Sequence, residues 1–79
     1  MYQVDNIQIA DRIIEARKNK SAKIGRLCTQ RDIAEACDMY KETVSHYERG
    51  RTMPTLVNAA KLANYLEVSI EWLCFGANK

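Results

Sequence analysis

The segment between residues 30 and 49 constrains the fold of this chain most, because its apolar residues describe two short helices across a tight turn. Ile33, Ala34 and Cys37 have the i, i+1, i+4 spacing that places side chains on one stripe of an α-helix. Ala34 is small at a point where two crossing helices must approach closely. We therefore predict that this first helix packs its apolar stripe against the helix that follows.

The second helix of the segment has an apolar side and a polar side. Val44 and Tyr47, three residues apart, repeat the apolar stripe. At roughly 100° per residue, the opposite face is polar and contains Lys41, Glu42, Ser45 and His46. A short helix that is supported from behind and polar in front is what reading base edges in the DNA major groove requires. The segment therefore predicts a DNA-binding helix-turn-helix.

This segment resembles the helix-turn-helix of phage repressors and Cro-type transcriptional regulators, and the likeness extends over most of the chain. Thr29–Gln30 is similar to the start of the family's motif, and Tyr47–Gly50 is similar to its Tyr/Trp-Glu-x-Gly exit. Further on, the family's last two helices are matched by residues 54–56, 60–63 and 66–73.

The resemblance implies an all-α, compact five-helix bundle of the lambda-repressor-like type, in one DNA-binding domain over residues 1–79. Its helix-turn-helix is expected at about residues 29–49. Apolar stripes and capping residues locate the helices. They are expected at Asn6 to about Lys18 or Lys20, 30–37, 41–49, 56–66 and 70–75. Residues 1–5 are predicted to be a disordered arm or an extended segment.

A basic stretch precedes the predicted helix-turn-helix. The whole chain has a net charge of only +2, but residues 17–31 contain six basic side chains and no acidic one. Residues 19–28 of this stretch are predicted to form a basic loop, longer than in compact members of the family. Beside a helix-turn-helix, the charge lies where a phosphate backbone would pass, although alone it is also typical of a solvated loop.

The cysteine and histidine content argues against metal sites and catalysis. Cys28, Cys37 and Cys74 are odd in number and have neither C-x-x-C spacing nor a histidine cluster, so we expect no zinc, other metal or cofactor. Without a nucleophile–base pair or a glycine-rich phosphate loop, the chain is predicted not to be an enzyme. Three unpaired cysteines fit a reducing cytoplasm. The sequence has no signal peptide that would indicate secretion, and no apolar run approaches the ~20 residues of a membrane-spanning helix.

The resemblance also assigns DNA contacts to individual residues. It implies base contacts at the start and along the outer face of the motif's second helix, by Tyr40, Lys41, Glu42, Ser45 and His46. Lys41 can donate to guanine O6 and N7, and Glu42 can accept from cytosine N4. The implied phosphate contacts are Thr29, Gln30, Arg49, Arg51 and Thr52, with Arg31 and Lys23 as weaker candidates. The alternative is that these are solvated residues of an exposed surface.

Two structural roles are implied as well. In the resembled proteins an arginine of the first helix pairs with the glutamate that matches Glu48, so Arg17 and Glu48 are expected to form a semi-buried ion pair. The Gln30 side chain is expected either to brace the recognition helix or to bind a phosphate. The chain departs from the family pattern at Asp38, Glu67 and Tyr40. Glycine is usual at the first two of these positions, and tyrosine is a poor helix cap at the third.

The C-terminal helix is more aromatic than a monomer of this size needs. Trp72 and Phe75 either close the core or form a self-complementary patch for a twofold homodimer. Such a dimer would place two recognition helices about one DNA turn, ~34 Å, apart.

Together these observations predict a Cro-type phage or prophage repressor that binds a pseudo-palindromic double-stranded DNA operator as a homodimer. The Met1–Tyr2 start and the absence of a linker favour a stand-alone protein over a fragment of a longer regulator. One alternative is an antitoxin or restriction-modification controller of the same fold. Another is a protein-interaction module on the same scaffold, against which the polar, mixed outer face of the motif's second helix argues.

Overall fold

Five helices form the computed structural model, which describes residues 5–77 and contains no strand among them. They are α1 (Asn6–Ile24), α2 (Gln30–Cys37), α3 (Lys41–Glu48), α4 (Leu56–Leu66) and α5 (Ile70–Phe75). The predicted all-α bundle is therefore confirmed. The arm or extended segment predicted at the N-terminus lies outside the described residues, except for Asp5. Within residues 5–77, no helix is both long enough and apolar enough to cross a membrane.

Helix α1 is longer than predicted. It begins after Asp5, whose carboxylate accepts from the backbone N–H of Ile7 at 2.7 Å and therefore caps the helix in place of Asn6. It ends at Ile24, where Gly25 has a φ of 74°. The predicted loop over residues 19–28 is therefore wrong for residues 19–24, which are helical. No glycine or proline interrupts the helix before Gly25, and nothing local stops it sooner.

The extension of α1 packs against the C-terminal end of α4. Lys20 Nζ donates to the Tyr65 carbonyl at 3.0 Å and lies 4.4 Å from the centre of the Tyr65 ring. It also pairs with the Glu67 carboxylate at 3.3 Å, and Lys23 pairs with the same carboxylate at 2.9 Å. Glu67 has a φ of 61°, a left-handed conformation of the kind that favours glycine, the usual residue at this position in the family. The two lysines therefore tie α1 to the residue that ends α4.

The core lies where all five helices meet. Each helix contributes at least one fully buried side chain, and the set includes Ile9, Ile13, Ile33, Val44, Leu62 and Leu73. Trp72 is only 6% exposed and belongs to this core, so it closes the core rather than presenting the predicted dimer patch. Phe75, in contrast, is 39% exposed. The aromatic ring that remains at the surface of α5 is therefore that of Phe75.

The turn between α2 and α3 has the predicted form. Asp38 ends α2 with a φ of 54°, and its neighbour Met39 donates to the Ala34 carbonyl at 2.9 Å. At the other end of α2, Thr29 and Asp32 form a reciprocal capping box. Tyr40 makes no side-chain capping bond to α3. The orientation of α3 therefore depends on its packing and on its C-terminal end, rather than on its N-cap.

Candidate nucleic-acid interface

The polar face of α3 lies at the surface, opposite the residues that hold the helix in the core. Val44 and Tyr47 are buried and contact the other helices. The five residues predicted to contact bases lie on the other side of α3 or at its start. Tyr40 is 80% exposed, Lys41 and Glu42 are exposed, and Ser45 and His46 are half-buried. The structure thus leaves all five at least partly accessible at the start and on the outer side of α3.

A buried carboxylate anchors the C-terminal end of this helix. Glu48 accepts from Arg17 in a bidentate arrangement, with Nε to Oε2 and Nη2 to Oε1 both at 2.8 Å. The Glu48 side chain is 5% exposed and that of Arg17 is 21% exposed. The remaining Arg17 nitrogen donates to the Cys28 carbonyl at 3.1 Å. The structure therefore contains the ion pair that the resemblance implied, and it links α1, the segment before α2, and α3.

Gln30 completes this network from the first turn of α2. Its side-chain amide donates to Glu48 Oε1 at 3.0 Å, so of its two expected roles the side chain performs the bracing one. The side chain is therefore committed to protein, and what Gln30 offers a phosphate is its backbone N–H at the start of α2. Glu48 thus receives three hydrogen bonds from two helices. We refer to Arg17, Gln30 and Glu48 below as the buried triad.

The segment between α3 and α4 carries the next group of predicted phosphate contacts. Arg49, Arg51 and Thr52 are exposed there. The backbone of Arg51 donates to the His46 carbonyl at 3.0 Å, which folds the segment back onto the end of α3. Gly50 has a φ of 71°, and a Cβ at this position would lie 3.3 Å from the Ile7 side chain. The segment is consequently held beside the polar face of α3.

Two further predicted phosphate contacts lie at the start of α2. Thr29 Oγ1 accepts from the Asp32 backbone, and the Thr29 N–H donates to the Asp32 carboxylate, each at 3.0 Å. The Thr29 backbone N–H is therefore occupied, and its hydroxyl hydrogen is what it offers a phosphate. Arg31 is exposed one residue into the helix. Thr29 and Arg31 are the chain neighbours of Gln30, which belongs to the buried triad.

The basic stretch before the motif is arranged differently from its predicted role. Of its six basic residues, four form ion pairs within the protein: Arg17 with Glu48, Lys20 and Lys23 with Glu67, and Arg26 with Asp32. Lys23, one of the weaker phosphate candidates, thus pairs with the Glu67 carboxylate at the end of α4. The backbone N–H of Thr29, followed by Arg26, holds the pKa of Asp32 below its usual value. Most of this charge is therefore structural.

One polar contact beside α3 was not anticipated from the sequence. The Asn58 side-chain amide, in the first turn of α4, donates to the Tyr47 hydroxyl at 2.8 Å. The Asn58 backbone N–H in turn donates to Thr55 Oγ1 at 3.2 Å. The sequence pattern predicts only a packing role for Tyr47, and an asparagine near a helix start is too common to indicate a partner. No pattern in the sequence pairs these two residues.

The cysteines of the described residues lie apart from any metal-binding cluster. In the part of the chain that the structure describes, no three histidine, cysteine, aspartate or glutamate side chains come together in a way that could hold a metal ion. Cys28 and Cys37 are buried, and burial raises the pKa of the Cys37 thiol. Burial likewise raises the pKa of the half-buried Cys74. These raised values disfavour reactive thiolates at Cys37 and Cys74.

Comparison with known proteins identifies relatives across most of the chain. A helix-turn-helix family model matches residues 20–73. The HTH-type transcriptional regulator DicA of Escherichia coli (strain K12) is 35% identical over 74 residues, which cover 94% of this chain and 50% of DicA. The chain thus spans about half the length of that curated relative. The crystal structure of the restriction-modification controller protein C.AhdI from Aeromonas hydrophila superposes with a TM-score of 0.74 at 26% identity, covering 86% of this chain and 94% of C.AhdI.

Proposed function

The chain belongs to the helix-turn-helix family, and we propose on that basis that it is a sequence-specific DNA-binding transcription regulator. The observation that carries the proposal is the exposed polar face of α3, whose far end is anchored by the buried triad. A helix that enters the major groove must present its side chains in one orientation, because base edges are read by directional hydrogen bonds. The triad supplies that orientation without using any residue of the polar face.

Each side chain of the polar face has a role that suits its chemistry. Lys41 donates to guanine O6 and N7, and Glu42 accepts from cytosine N4. Ser45, His46 and Tyr40 contact neighbouring bases or the backbone. These residues decide sequence preference, whereas the phosphate contacts set position and register.

The phosphate contacts flank α3 on two sides. Arg49, Arg51 and Thr52 bind one stretch of backbone from the segment after α3. On the other side, Thr29, Arg31 and the backbone N–H of Gln30 bind a second stretch at the start of α2, where the helix dipole favours an anion. Two anchored stretches of backbone fix how deeply α3 enters the groove.

We further propose that the regulator acts as a homodimer on a pseudo-palindromic operator in the cytoplasm, as a Cro-type repressor. Twofold symmetry doubles the contacts of one short helix and spaces two copies of α3 by about one DNA turn, ~34 Å. Phe75, 39% exposed on α5, is the remaining candidate of the predicted dimer patch. A restriction-modification controller is the second candidate function, favoured by the coverage of 94% of C.AhdI.

The test is selection of labelled DNA from a random pool, followed by binding of the selected sequence across a salt series. We expect a palindromic consensus and a steep fall of log affinity with log salt, about 0.9 per neutralised phosphate. An operator-binding dimer would also show two-to-one stoichiometry of protein to DNA. Failure to enrich any sequence, with only weak salt-sensitive binding, would contradict the proposal and favour a protein-interaction module.

A further inference from the structure

Tyr47 occupies an unusual position for a core residue, because its side chain is buried while its hydroxyl remains able to donate. The residue is 5% exposed and packs in the core on the inner side of α3. Its hydroxyl accepts a hydrogen bond from Asn58 Nδ2 at 2.8 Å, its one hydrogen-bond partner among residues 5–77. A tyrosine hydroxyl has one hydrogen to donate as well as lone pairs that accept. The contact with Asn58 uses a lone pair and leaves the hydrogen.

Asn58 also determines where that hydrogen points. A phenolic O–H lies in the plane of its ring, so the hydroxyl has two favourable hydrogen directions. An N–H donor placed in one of them leaves the other for the hydroxyl hydrogen. Asn58 is itself held, because its backbone N–H donates to Thr55 Oγ1 at 3.2 Å at the start of α4. Because the Asn58 amide donates to the hydroxyl oxygen, the hydroxyl hydrogen does not point at Asn58.

Tyr47 lines an open groove on the side of the protein that faces DNA in the proposed pose. The other residues of this groove are Glu42, Thr43, His46, Thr52 and Met53. Glu42 and His46 are predicted to contact bases, and Thr52 is predicted to contact a phosphate. A DNA strand that touches both sets must cross the groove between them, so its sugar–phosphate backbone covers the place that Tyr47 lines.

We propose that the Tyr47 hydroxyl is a phosphate ligand and that Asn58 is the positioning residue that orients its hydrogen toward the DNA backbone. The inference rests on the proposed DNA-binding function and adds to it a contact made from the buried side of α3. Because Tyr47 directly precedes Glu48, the same turn of α3 then carries the buried anchor and a phosphate contact. Small errors in the orientation of α3 would break both together.

The experiment measures the affinity of the full chain for its selected operator, with each backbone phosphate replaced in turn by a neutral methylphosphonate. It is carried out for the native chain, Tyr47→Phe, Asn58→Ala, and the double variant. Tyr65→Phe is the matched control. Tyr65 lies at the other end of α4, and its hydroxyl also contacts a neighbouring side chain, Cys28 Sγ, at 3.9 Å. Circular dichroism and thermal unfolding verify that each variant is folded under the binding conditions.

We expect Tyr47→Phe to weaken operator binding about tenfold or more, the range for a hydrogen bond to a charged group. One phosphate at which the native chain loses affinity on neutralisation should no longer matter in Tyr47→Phe. Asn58→Ala should weaken binding less, and the double variant should bind no more weakly than Tyr47→Phe alone, because Asn58 acts through the hydroxyl. The base preference of Tyr47→Phe should equal that of the native chain. The control Tyr65→Phe should bind the operator as tightly as the native chain does.

A second substitution separates orientation of the hydroxyl from simple support of the fold. Asn58→Asp replaces the amide donor by an acceptor, which draws the hydroxyl hydrogen toward α4 while keeping a bond between the two side chains. We expect it to weaken binding more in the native background than in the Tyr47→Phe background, where only its added charge acts. Equal losses in the two backgrounds would overturn the positioning role.

The inference fails if Tyr47→Phe binds the operator as tightly as the native chain, or if its methylphosphonate profile is unaltered. In either case Tyr47 serves packing alone while the proposed function stands. If the native chain itself selects no DNA sequence, the proposed function fails and this inference fails with it. The two failures are thus distinguished by the native chain alone.

Discussion

Two glutamates in this molecule are each paired with basic residues of α1, yet they are placed very differently. The Glu48 side chain is 5% exposed and accepts from a bidentate arginine and from Gln30. The Glu67 side chain is 49% exposed and is shared by two lysines. A paired charge inside the protein cannot lose its partner without remaining desolvated, whereas one at the surface returns to water. The single buried pair of Glu48 therefore has larger consequences for stability than the two pairs that Glu67 makes at the surface.

The comparison also separates two uses of basic residues in one helix. Arg17 orients α3, the helix that we propose reads DNA, from within the protein. Lys20 and Lys23 attach the added length of α1 to the end of α4, remote from α3. The sequence shows one uninterrupted basic stretch, but its charges divide between anchoring the site and fastening a helix.

The largest effect is expected for Arg17→Met. Removal of the guanidinium leaves the Glu48 carboxylate buried with only Gln30 as a side-chain donor, which should lower the free energy of unfolding by about 3–5 kcal/mol. Urea unfolding monitored by circular dichroism measures it. Arg17→Lys is the matched control. Its free energy of unfolding should lie between those of the native chain and Arg17→Met, since lysine keeps the charge but not the bidentate fork. A loss in Arg17→Met no larger than in an exposed pair would show that the buried triad does not anchor α3.

An intermediate effect, on DNA affinity rather than stability, is expected for Arg51→Ala. The residue is exposed beside α3 and, as a phosphate contact, should weaken binding to all sequences alike. The slope of log affinity against log salt should decrease by about 0.9, the loss of one neutralised phosphate. Lys23→Ala provides the contrast, because Lys23 is paired with Glu67, and we expect it to leave the slope almost unchanged. A larger slope change for Lys23→Ala than for Arg51→Ala would reverse the roles of the two regions.

A smaller effect is expected for Glu67→Gln at neutral pH. The substitution removes the carboxylate from Lys20 and Lys23 but keeps a side chain of the same shape at the end of α4. Because the group is solvated, we expect the stability of this variant to differ far less from the native chain than that of Arg17→Met. The difference should diminish further in about 1 M salt, which screens exposed charges. Thermal unfolding of Glu67→Gln and Arg17→Met, each beside the native chain, measures the two losses of stability.

The smallest effect is the pH dependence that Glu67 contributes. Lys23, followed by Lys20, holds the pKa of Glu67 below its usual value. A carboxyl group with a lowered folded-state pKa stabilises the fold above its unfolded pKa, and this contribution is lost as the pH falls through the folded value. The difference in unfolding midpoint between the native chain and Glu67→Gln should therefore begin to shrink as the pH falls below about 4.5, and it should be lost once the pH has passed the lower folded-state pKa. A difference that grows on acidification would contradict the pairing.

Local signals were sufficient for the ends of the shorter helices. Thr55 and Ser69 cap α4 and α5 at the predicted starts of these helices, and Gly76 ends α5 with a φ of 77°. The turn at Asp38 and the missing cap at Tyr40 were likewise anticipated. Each of these depends on one side chain and the backbone next to it, so the identity of the residue carries the information.

The features that the sequence did not reveal depend on residues far apart in the chain. The extension of α1 beyond Lys20 is held by Glu67, more than forty positions later. Whether Trp72 closes the core or lies at the surface depends on where α5 packs, which no local pattern encodes. The Asn58–Tyr47 contact joins two helices across a connecting segment. Tertiary pairing decides all three.

The most direct test of the central claim, that the polar face of α3 reads bases, is the base preference of Lys41→Ala. The affinity of the variant and the native chain would be measured for every single-base change in the selected operator, with Lys61→Ala, an exposed lysine on α4, as the control. We predict that Lys41→Ala loses discrimination at one guanine in each half-site, by about 1–3 kcal/mol, and keeps it elsewhere. An unchanged preference at every position, or a uniform loss at all of them, would contradict the account.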